Sequence, residues 1–344
     1  MHYRPLGRTG IKVSPYCLGA MMFGKTVNAD HEDCARIIHK ALDAGINFID
    51  TADRYSEGES EEIVGKALKG RREHVVLATK FWGPMGKDPN QGGLSRRWIT
   101  AEVEHSLRRL QTDHIDVYQV HRPDPSVDVE ETLSALSDLV RSGKVRTIGT
   151  STFSASEIVE AQWVAERRGL VRFRTEQLPY SIVSRGIERD ILPTCQRYGM
   201  GTMVFSPLEG GLLTGRMRKG QPSDSRRMTM AGPTKRFSDA RNLDVVEQLV
   251  PLAQEAGLPM SHLAIAFAIA HPIVTSAIIG PRTMAQLDDL LASTEVKLTD
   301  ELLDRIDAIV PPGTDVRPPD TAYSPPAVQV ASLRRRPASE RGAA

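Results

Sequence analysis

The chain reads as a single (β/α)8 barrel, and three observations lead there. Short apolar runs alternate with stretches of helical periodicity almost from end to end. The runs number eight, over roughly 280 residues, the size of a closed eight-stranded barrel. Neither a Gly-x-Gly-x-x-Gly turn nor a Gly-x4-Gly-Lys-Ser/Thr loop occurs, which argues against an open sheet with a dinucleotide or nucleotide loop.

The elements follow in order. A hairpin is expected first: Tyr3–Leu6, a turn over Gly7–Gly10, then Ile11–Val13. The eight strands are expected at Tyr16–Leu18, Asn47–Ile49, Val75–Thr79, Ile115–Val120, Val145–Ile148, Phe173–Gln177, Thr202–Phe205 and Ser276–Ile279. Helices are expected over Asp30–Ala44, Ser60–Leu68, Ile99–Leu110, Val129–Val140, Ala155–Arg168, Ile187–Tyr198 and Thr283–Ala292, several of them stopped by a glycine such as Gly45, Gly143 or Gly169. The seventh strand departs from the rhythm. A long connection, 208–241, follows it, then extra helices Leu243–Ala256 and Ser261–Ala270. That connection carries Arg216, Arg218, Lys219, Arg226, Arg227, Lys235 and Arg236, so it is either a functional loop or a solvated basic one. Leu302–Val310 reads as a closing helix. The domain is therefore expected to span 1–310, followed by a flexible tail, 311–344, rich in proline and ending in the basic cluster Arg334–Arg336.

The chain has 344 residues, 25% charged and 40% hydrophobic, with a net charge of +1. That balance points away from a nucleic-acid or membrane surface. Cys17, Cys34 and Cys195 are too few and too scattered for a disulfide framework or a metal site, and a cytoplasmic setting with no signal peptide is expected. No metal is expected, since the nine histidines show no paired-ligand spacing.

Active sites of such barrels form at the C-terminal ends of the strands. Asp50, Lys80 and His121 end the second, third and fourth strands, and Tyr55 lies in the loop after Asp50. Each alone has an ordinary structural reading, as a helix cap, a strand-end charge or a packed ring. Together they form a proton-delivering set. A phenol is a weak acid unless its anion is stabilised. Lys80, oriented by Asp50, is expected to lower the pKa of Tyr55, with His121 donating to a carbonyl oxygen. A metal-dependent barrel hydrolase lacks the ligands. Met22, beside Met21 and Phe23, and Trp82 are candidate walls of a substrate pocket or packing at the barrel rim. No charged residue stands out as a substrate anchor, and broad carbonyl specificity is expected.

The stretches FIDTADRYSEGESEEIVGKAL, VVLATKFW, DVYQVHRPDP, GKVRTIGTSTFS, VFSPLEGGLLTGR and SAIIGPRTMAQLDD resemble the aldo-keto reductases, nearest the branch that includes potassium-channel β subunits and bacterial reductases. The resemblance covers the chain from Gly7 to about Val310. It implies NADPH-dependent reduction of aldehydes and ketones, with a tetrad of Asp50, Tyr55, Lys80 and His121 and with Tyr55 as proton donor. It implies that Phe205 stacks on the nicotinamide and that Ser151, Thr152 and Gln177 lie at its carboxamide. Ser206, Pro207, Leu208, Gly210 and Arg216 would follow the pyrophosphate, and Arg226 would reach the phosphate end. Gly280, Arg282, Gln286 and Asp289 would form the adenosine side, with Arg282 near the 2′-phosphate. Two positions depart from the family pattern: Thr152 stands where asparagine is usual, and so does Leu290, for which Asp289 would compensate. A small carbonyl compound is the expected partner. The branch contains homo-oligomers as well as monomers. A cofactor-binding sensor with little turnover is the other reading; channel subunits tend to carry asparagine where this chain has His121.

Overall fold

Side chains alternate across a strand, so an inward residue recurs every second position. Stacked strands therefore build layers inside a barrel, and here the layers differ in chemistry. The computed structural model describes residues 1–220, 235–317 and 325–337. Eight parallel strands close in the order β10-β3-β4-β5-β6-β7-β8-β9. They are β3 (Tyr16–Gly19), β4 (Phe48–Asp50), β5 (Val76–Phe81), β6 (Ile115–Val120), β7 (Val145–Ser151), β8 (Thr175–Pro179), β9 (Gly201–Phe205) and β10 (Val274–Ile279). Cys17, Phe48, Ala78, Val117 and Met203 form an apolar layer in the interior, sealed from below by Leu6 and Val13. Two residues further along the same strands come Asp50, Lys80 and Gln119, joined by hydrogen bonds. The polar layer thus sits on an apolar floor and faces the C-terminal mouth.

The floor is finished by the expected hairpin, β1 (Arg4–Pro5) against β2 (Lys12–Val13). Gly7 has a φ of +55°, and a Cβ there would lie 2.3 Å from the Gly201 nitrogen, so only glycine fits this contact. Arg8 N–H donates to the Gly199 carbonyl at 2.9 Å, and Arg4 Nη1 donates to the carbonyls of Ile269 and Val274, each at 3.0 Å.

Around the barrel run α1 (His31–Asp43), α2 (Glu59–Ala67), α3 (Arg96–Leu110), α4 (Val129–Arg141), α5 (Ala155–Arg168), α6 (Ile191–Tyr198), the extra helices α7 (Ala240–Glu255) and α8 (Met260–Ala270), then α9 (Met284–Ala292) and α10 (Asp300–Ile309). Their starts obey capping chemistry. Asp30, Ser95, Asp128 and Thr283 each accept from a backbone N–H of the first turn, and Ser154 with Glu157 makes a capping box.

Most boundaries shift by one to three residues from the sequence reading, and three of the differences are instructive. β7 runs on to Ser151 rather than stopping at Ile148. Gly149 continues the ladder because a Cβ there would meet Thr175 Oγ1 at 2.0 Å. β8 lies two residues later than expected, since its ladder pairs Thr175 with Gly201 and Pro179 with Phe205. The helix expected over 187–198 is a 3-10 turn, Gly186–Glu188, followed by α6. The first tail residues are held to the barrel: Val316 N–H donates to the Val183 carbonyl and Asp315 accepts from Gly186 N–H. Among the described residues no helix is long and apolar enough to cross a membrane.

Candidate active site

Asp50 closes β4, Lys80 is the penultimate residue of β5, and His121 follows the last residue of β6. Ladder pairing aligns Asp50 with Ala78 and Lys80 with Gln119, which brings the polar ends of three strands to one level. Lys80 is fully buried. Its Nζ donates to Asp50 Oδ1 at 2.5 Å, to the Thr51 carbonyl at 2.8 Å and to Tyr55 Oη at 3.1 Å. An ammonium has three protons, so the set is complete. Asp50 Oδ2 accepts from Gln119 at 3.1 Å and from Gln177 at 2.9 Å. The Tyr55 and His121 rings meet edge to face, with centroids 5.9 Å apart. The four expected residues therefore converge.

Tyr55 is delivered by the loop after β4, which is pinned to β5 on its way up. Thr51 N–H donates to the Ala78 carbonyl and Asp53 N–H to the Lys80 carbonyl. Ser56 and Glu57, just beyond Tyr55, hold left-handed backbone angles (φ 50° and 58°), a strain that lets the chain turn sharply from Tyr55 into α2.

Burial opposes the charge on Lys80, but Asp50 and then Tyr55 hold its pKa above the ordinary value, so it stays an ammonium. Burial raises the Tyr55 phenol; Lys80 pulls it down, and Asp50 pushes it up. Lys80 acts in the expected direction, but burial outweighs it and the net shift is upward. Tyr55 therefore stands protonated at neutral pH. Burial, then Lys80, Arg122 and Arg54, hold His121 well below the ordinary histidine value. At neutral pH it is a neutral imidazole, a hydrogen-bond donor through one nitrogen.

On the other side of the mouth, β7 ends in Ser151 and β8 carries Gln177 beside it. Both Gln177 N–H groups are engaged, toward Asp50 and, at 3.4 Å, Gln119. Its Oε1 has no partner among the described residues. Ser151 Oγ accepts from Arg122 Nη1 at 3.3 Å and keeps its own proton to donate. A free acceptor beside a free donor complements the N–H and C=O of a carboxamide. Thr152 turns its hydroxyl onto the Ser151 carbonyl at 2.7 Å and holds a φ of 62°. That backbone is strained for a β-branched residue, whereas asparagine tolerates it. Beneath the turn, Glu176 accepts from Phe153 N–H at 3.1 Å and from the Thr150 hydroxyl. Burial pushes its carboxyl up to about 8.

Phe205 ends β9 half-buried, and Ser206 follows with a φ of 57°. Pro207 is buried and Leu208 packs on the core. Gly210 and Gly211 carry positive φ at the start of a 3-10 segment, Glu209–Thr214. Arg216 is exposed, and neither it nor Arg282 has a carboxylate partner among the described residues. Arg226 lies outside the described residues. Gly280 is exposed after β10, and a Cβ there would meet only Met22, at 3.6 Å. Gln286 is committed to the turn before α9, its Oε1 accepting from Arg282 N–H at 2.8 Å. Asp289 faces α8, where it accepts from His262 at 3.1 Å and from Ser261 at 3.4 Å. Leu290 is buried in the core rather than turned to a pocket. Met22 is buried and Trp82 half-buried at the rim.

Gln119, Arg122 and Arg54 were not singled out in the sequence. Gln119 has a legible signal, lying two residues before His121 and so on the same inward face of β6.

The description of the aldo/keto reductase family matches residues 15–311. An oxidoreductase of Bacillus subtilis (strain 168), YrpG, named as uncharacterized, is 41% identical over 323 residues, covering 90% of this chain and 96% of that protein. A putative voltage-gated potassium channel subunit beta of Schizosaccharomyces pombe is 38% identical, covering 90% of this chain and 93% of its own. The aldo-keto reductase YhdN of Bacillus subtilis is 37% identical, with 88% and 91% covered. With its closed barrel and a family match over most of its length, the chain belongs to the aldo/keto reductase family.

Proposed function

We propose that the protein reduces aldehyde and ketone carbonyls to alcohols with NADPH. The observation that carries this reading is the Lys80 ammonium bound at once to Asp50 Oδ1 and Tyr55 Oη. Family membership supports an oxidoreductase acting on carbonyls; the cofactor and the proton donor are our inference. NADPH, when bound, supplies the hydride to the carbonyl carbon. The chain's own groups supply everything else. The carbonyl oxygen sits between Tyr55 Oη and the neutral His121, which polarise it by hydrogen bonds. As the oxygen becomes an alkoxide, Tyr55 passes it a proton. Lys80 stabilises the resulting phenolate, while Asp50 and the two glutamines keep Lys80 in place.

The free Ser151 hydroxyl and Gln177 Oε1 would hold the nicotinamide carboxamide, with Phe205 against the ring. The glycines at 210 and 211 leave room for phosphates to approach backbone. Arg216 and Arg282, without carboxylate partners among the described residues, suit a cofactor with an extra phosphate. We read residues 1–310 as one reductase domain.

Tyr55→Phe keeps the ring and removes the proton. NADPH-dependent reduction of a panel of aldehydes is expected to fall by about 10²-fold or more, while NADPH binding, followed by fluorescence, persists. Undiminished turnover sinks the assignment. The channel-subunit relatives favour a second reading, a cofactor-binding sensor. Tight NADPH binding by the wild-type protein without turnover of any panel member would favour it.

A further inference from the structure

Arg122 directly follows His121 and leans back across the mouth. Its Nη1 donates to the His121 carbonyl at 2.5 Å and to Ser151 Oγ at 3.3 Å. Nη2 and Nε have no partner among the described residues. Arg4, at the floor, also bonds only carbonyls, but it stands at the far end of the barrel from the mouth; three other arginine clamps behave differently. Arg72 uses Nε, Nη1 and Nη2 on Thr112, Val75, His114 and Asp116. Arg109 reaches both Glu61 and Glu102, and Arg185 reaches Glu188 and Asp307. Each of these partly or fully buried guanidinium groups has a carboxylate. Arg122, half-buried itself, has none.

A second cation stands near. Arg54 immediately precedes Tyr55, and its stem crosses Gly83, where a Cβ would lie 1.9 Å from Arg54 Cδ. Gly83 follows Trp82 at the rim, and the absence of a side chain there leaves room for the Arg54 stem. No side-chain partner holds the Arg54 guanidinium among the described residues. Lys80 and Asp50 cancel one another beneath Tyr55. Arg54 and Arg122 both act on His121. Glu176 lies near Arg122, but its carboxyl is pushed up to about 8 by burial and so is mostly neutral at pH 7.

We propose that Arg122, assisted by Arg54, makes this site selective for carbonyl substrates that carry a carboxylate. The uncommitted edge of a guanidinium offers two parallel N–H groups, which match the two oxygens of a carboxylate. A carboxylate seated there places the rest of its molecule beside His121 and Tyr55, where the carbonyl must lie. The broad specificity expected from sequence is replaced by a preference for anionic aldehydes and ketones. This rests on the reductase reading.

The test uses 2-, 3- and 4-carboxybenzaldehyde against their methyl esters, so that charge changes while the aldehyde stays. Wild-type kcat/KM, followed by NADPH consumption, is expected to favour at least one acid over its ester by about tenfold, the order of one charge-assisted hydrogen-bonded contact. Arg122→Gln is expected to bring that ratio close to one, and Arg54→Gln to reduce it less. Titration of the corresponding carboxybenzyl alcohol into the NADP+-loaded protein gives a reading independent of turnover; Arg122→Gln is expected to weaken it about tenfold. A wild-type ratio near one for all three isomers overturns the proposal. So does an equal loss for acid and ester accompanied by weaker NADPH binding, which would make Arg122 a clamp on the Ser151 turn. If the wild type turns over neither member of any pair, the reductase reading fails; the alcohol titration then still supports or refutes the carboxylate site.

Discussion

Strands β4 to β6 carry two buried ionic networks, one on each face, and their residue types are nearly the same. Inside the barrel, Lys80 meets Asp50, with Gln119 and Gln177 behind. Outside, between the strands and helices α2 and α3, Arg109 meets Glu61 at 2.7 Å and Glu102 at 2.5 Å. Thr79 and Asp53 are part of the same layer. Thr79 adjoins Lys80, so alternation alone sends one side chain to each network. The inner network ends in a group whose proton can leave through the mouth. The outer one ends in Tyr118 Oη and Asp53 Oδ2, buried atoms with no hydrogen-bond partner among the described residues. Buried charge alone therefore does not single out the proposed site; its open end toward the mouth does.

That comparison can be broken by exchanging the effects. Lys80→Met is expected to lower kcat by roughly 10²–10⁴-fold and Arg109→Met to leave the buried Glu61 and Glu102 without the guanidinium between them, costing about 3–5 kcal/mol of stability. Urea unfolding alongside turnover, measured below the mutant's melting range, separates them. Turnover lost in folded Arg109→Met, or kept in Lys80→Met, would erase the distinction.

The next effect is one of pH. Burial, then Glu61 and Glu102, push the Asp53 carboxyl well above its ordinary value, only partly offset by its hydrogen bond to Arg54 N–H and by Arg109. The folded chain holds a proton there that the unfolded chain releases above about pH 4. Protons bound on folding make stability fall as pH rises through that window. Asp53→Asn needs no proton. Its unfolding free energy is expected to vary less steeply with pH and to exceed wild type at pH 8 by on the order of 1–2 kcal/mol. An unchanged slope would mean that Asp53 is ionised in the folded chain. The smallest effect is expected from Tyr118→Phe, which removes the unpartnered hydroxyl. It is expected to be neutral or to stabilise by up to about 1 kcal/mol, leaving kcat untouched; a clear loss of stability would give that hydroxyl a partner.

The inner network was largely legible in the sequence because each member announces itself by place. Asp50, Lys80 and His121 stand where apolar runs stop, and the barrel brings strand ends together. Ser151 was legible only through family resemblance, because Gly149 disguised the continuing strand. The outer network was not legible, since Glu61, Glu102 and Arg109 sit at ordinary helical positions and meet only after α2 and α3 pack. Arg122 was missed for a different reason. Its meaning lies in hydrogen bonds it does not make, and a sequence does not display those.

The hairpin at the floor also constrains the order in which the barrel is made. Arg8 needs Gly199, Gly7 needs the backbone at Gly201, and Arg4 needs Ile269 and Val274. A chain emerging from the ribosome exposes these partners only after most of its length has been synthesised. Until then Leu6 and Val13 lack the barrel interior they pack against. Such contacts between distant parts of a sequence form slowly, so the hairpin is expected to dock late, after the walls that receive it, and hydrogen exchange during refolding would show Arg8 N–H among the last to be protected.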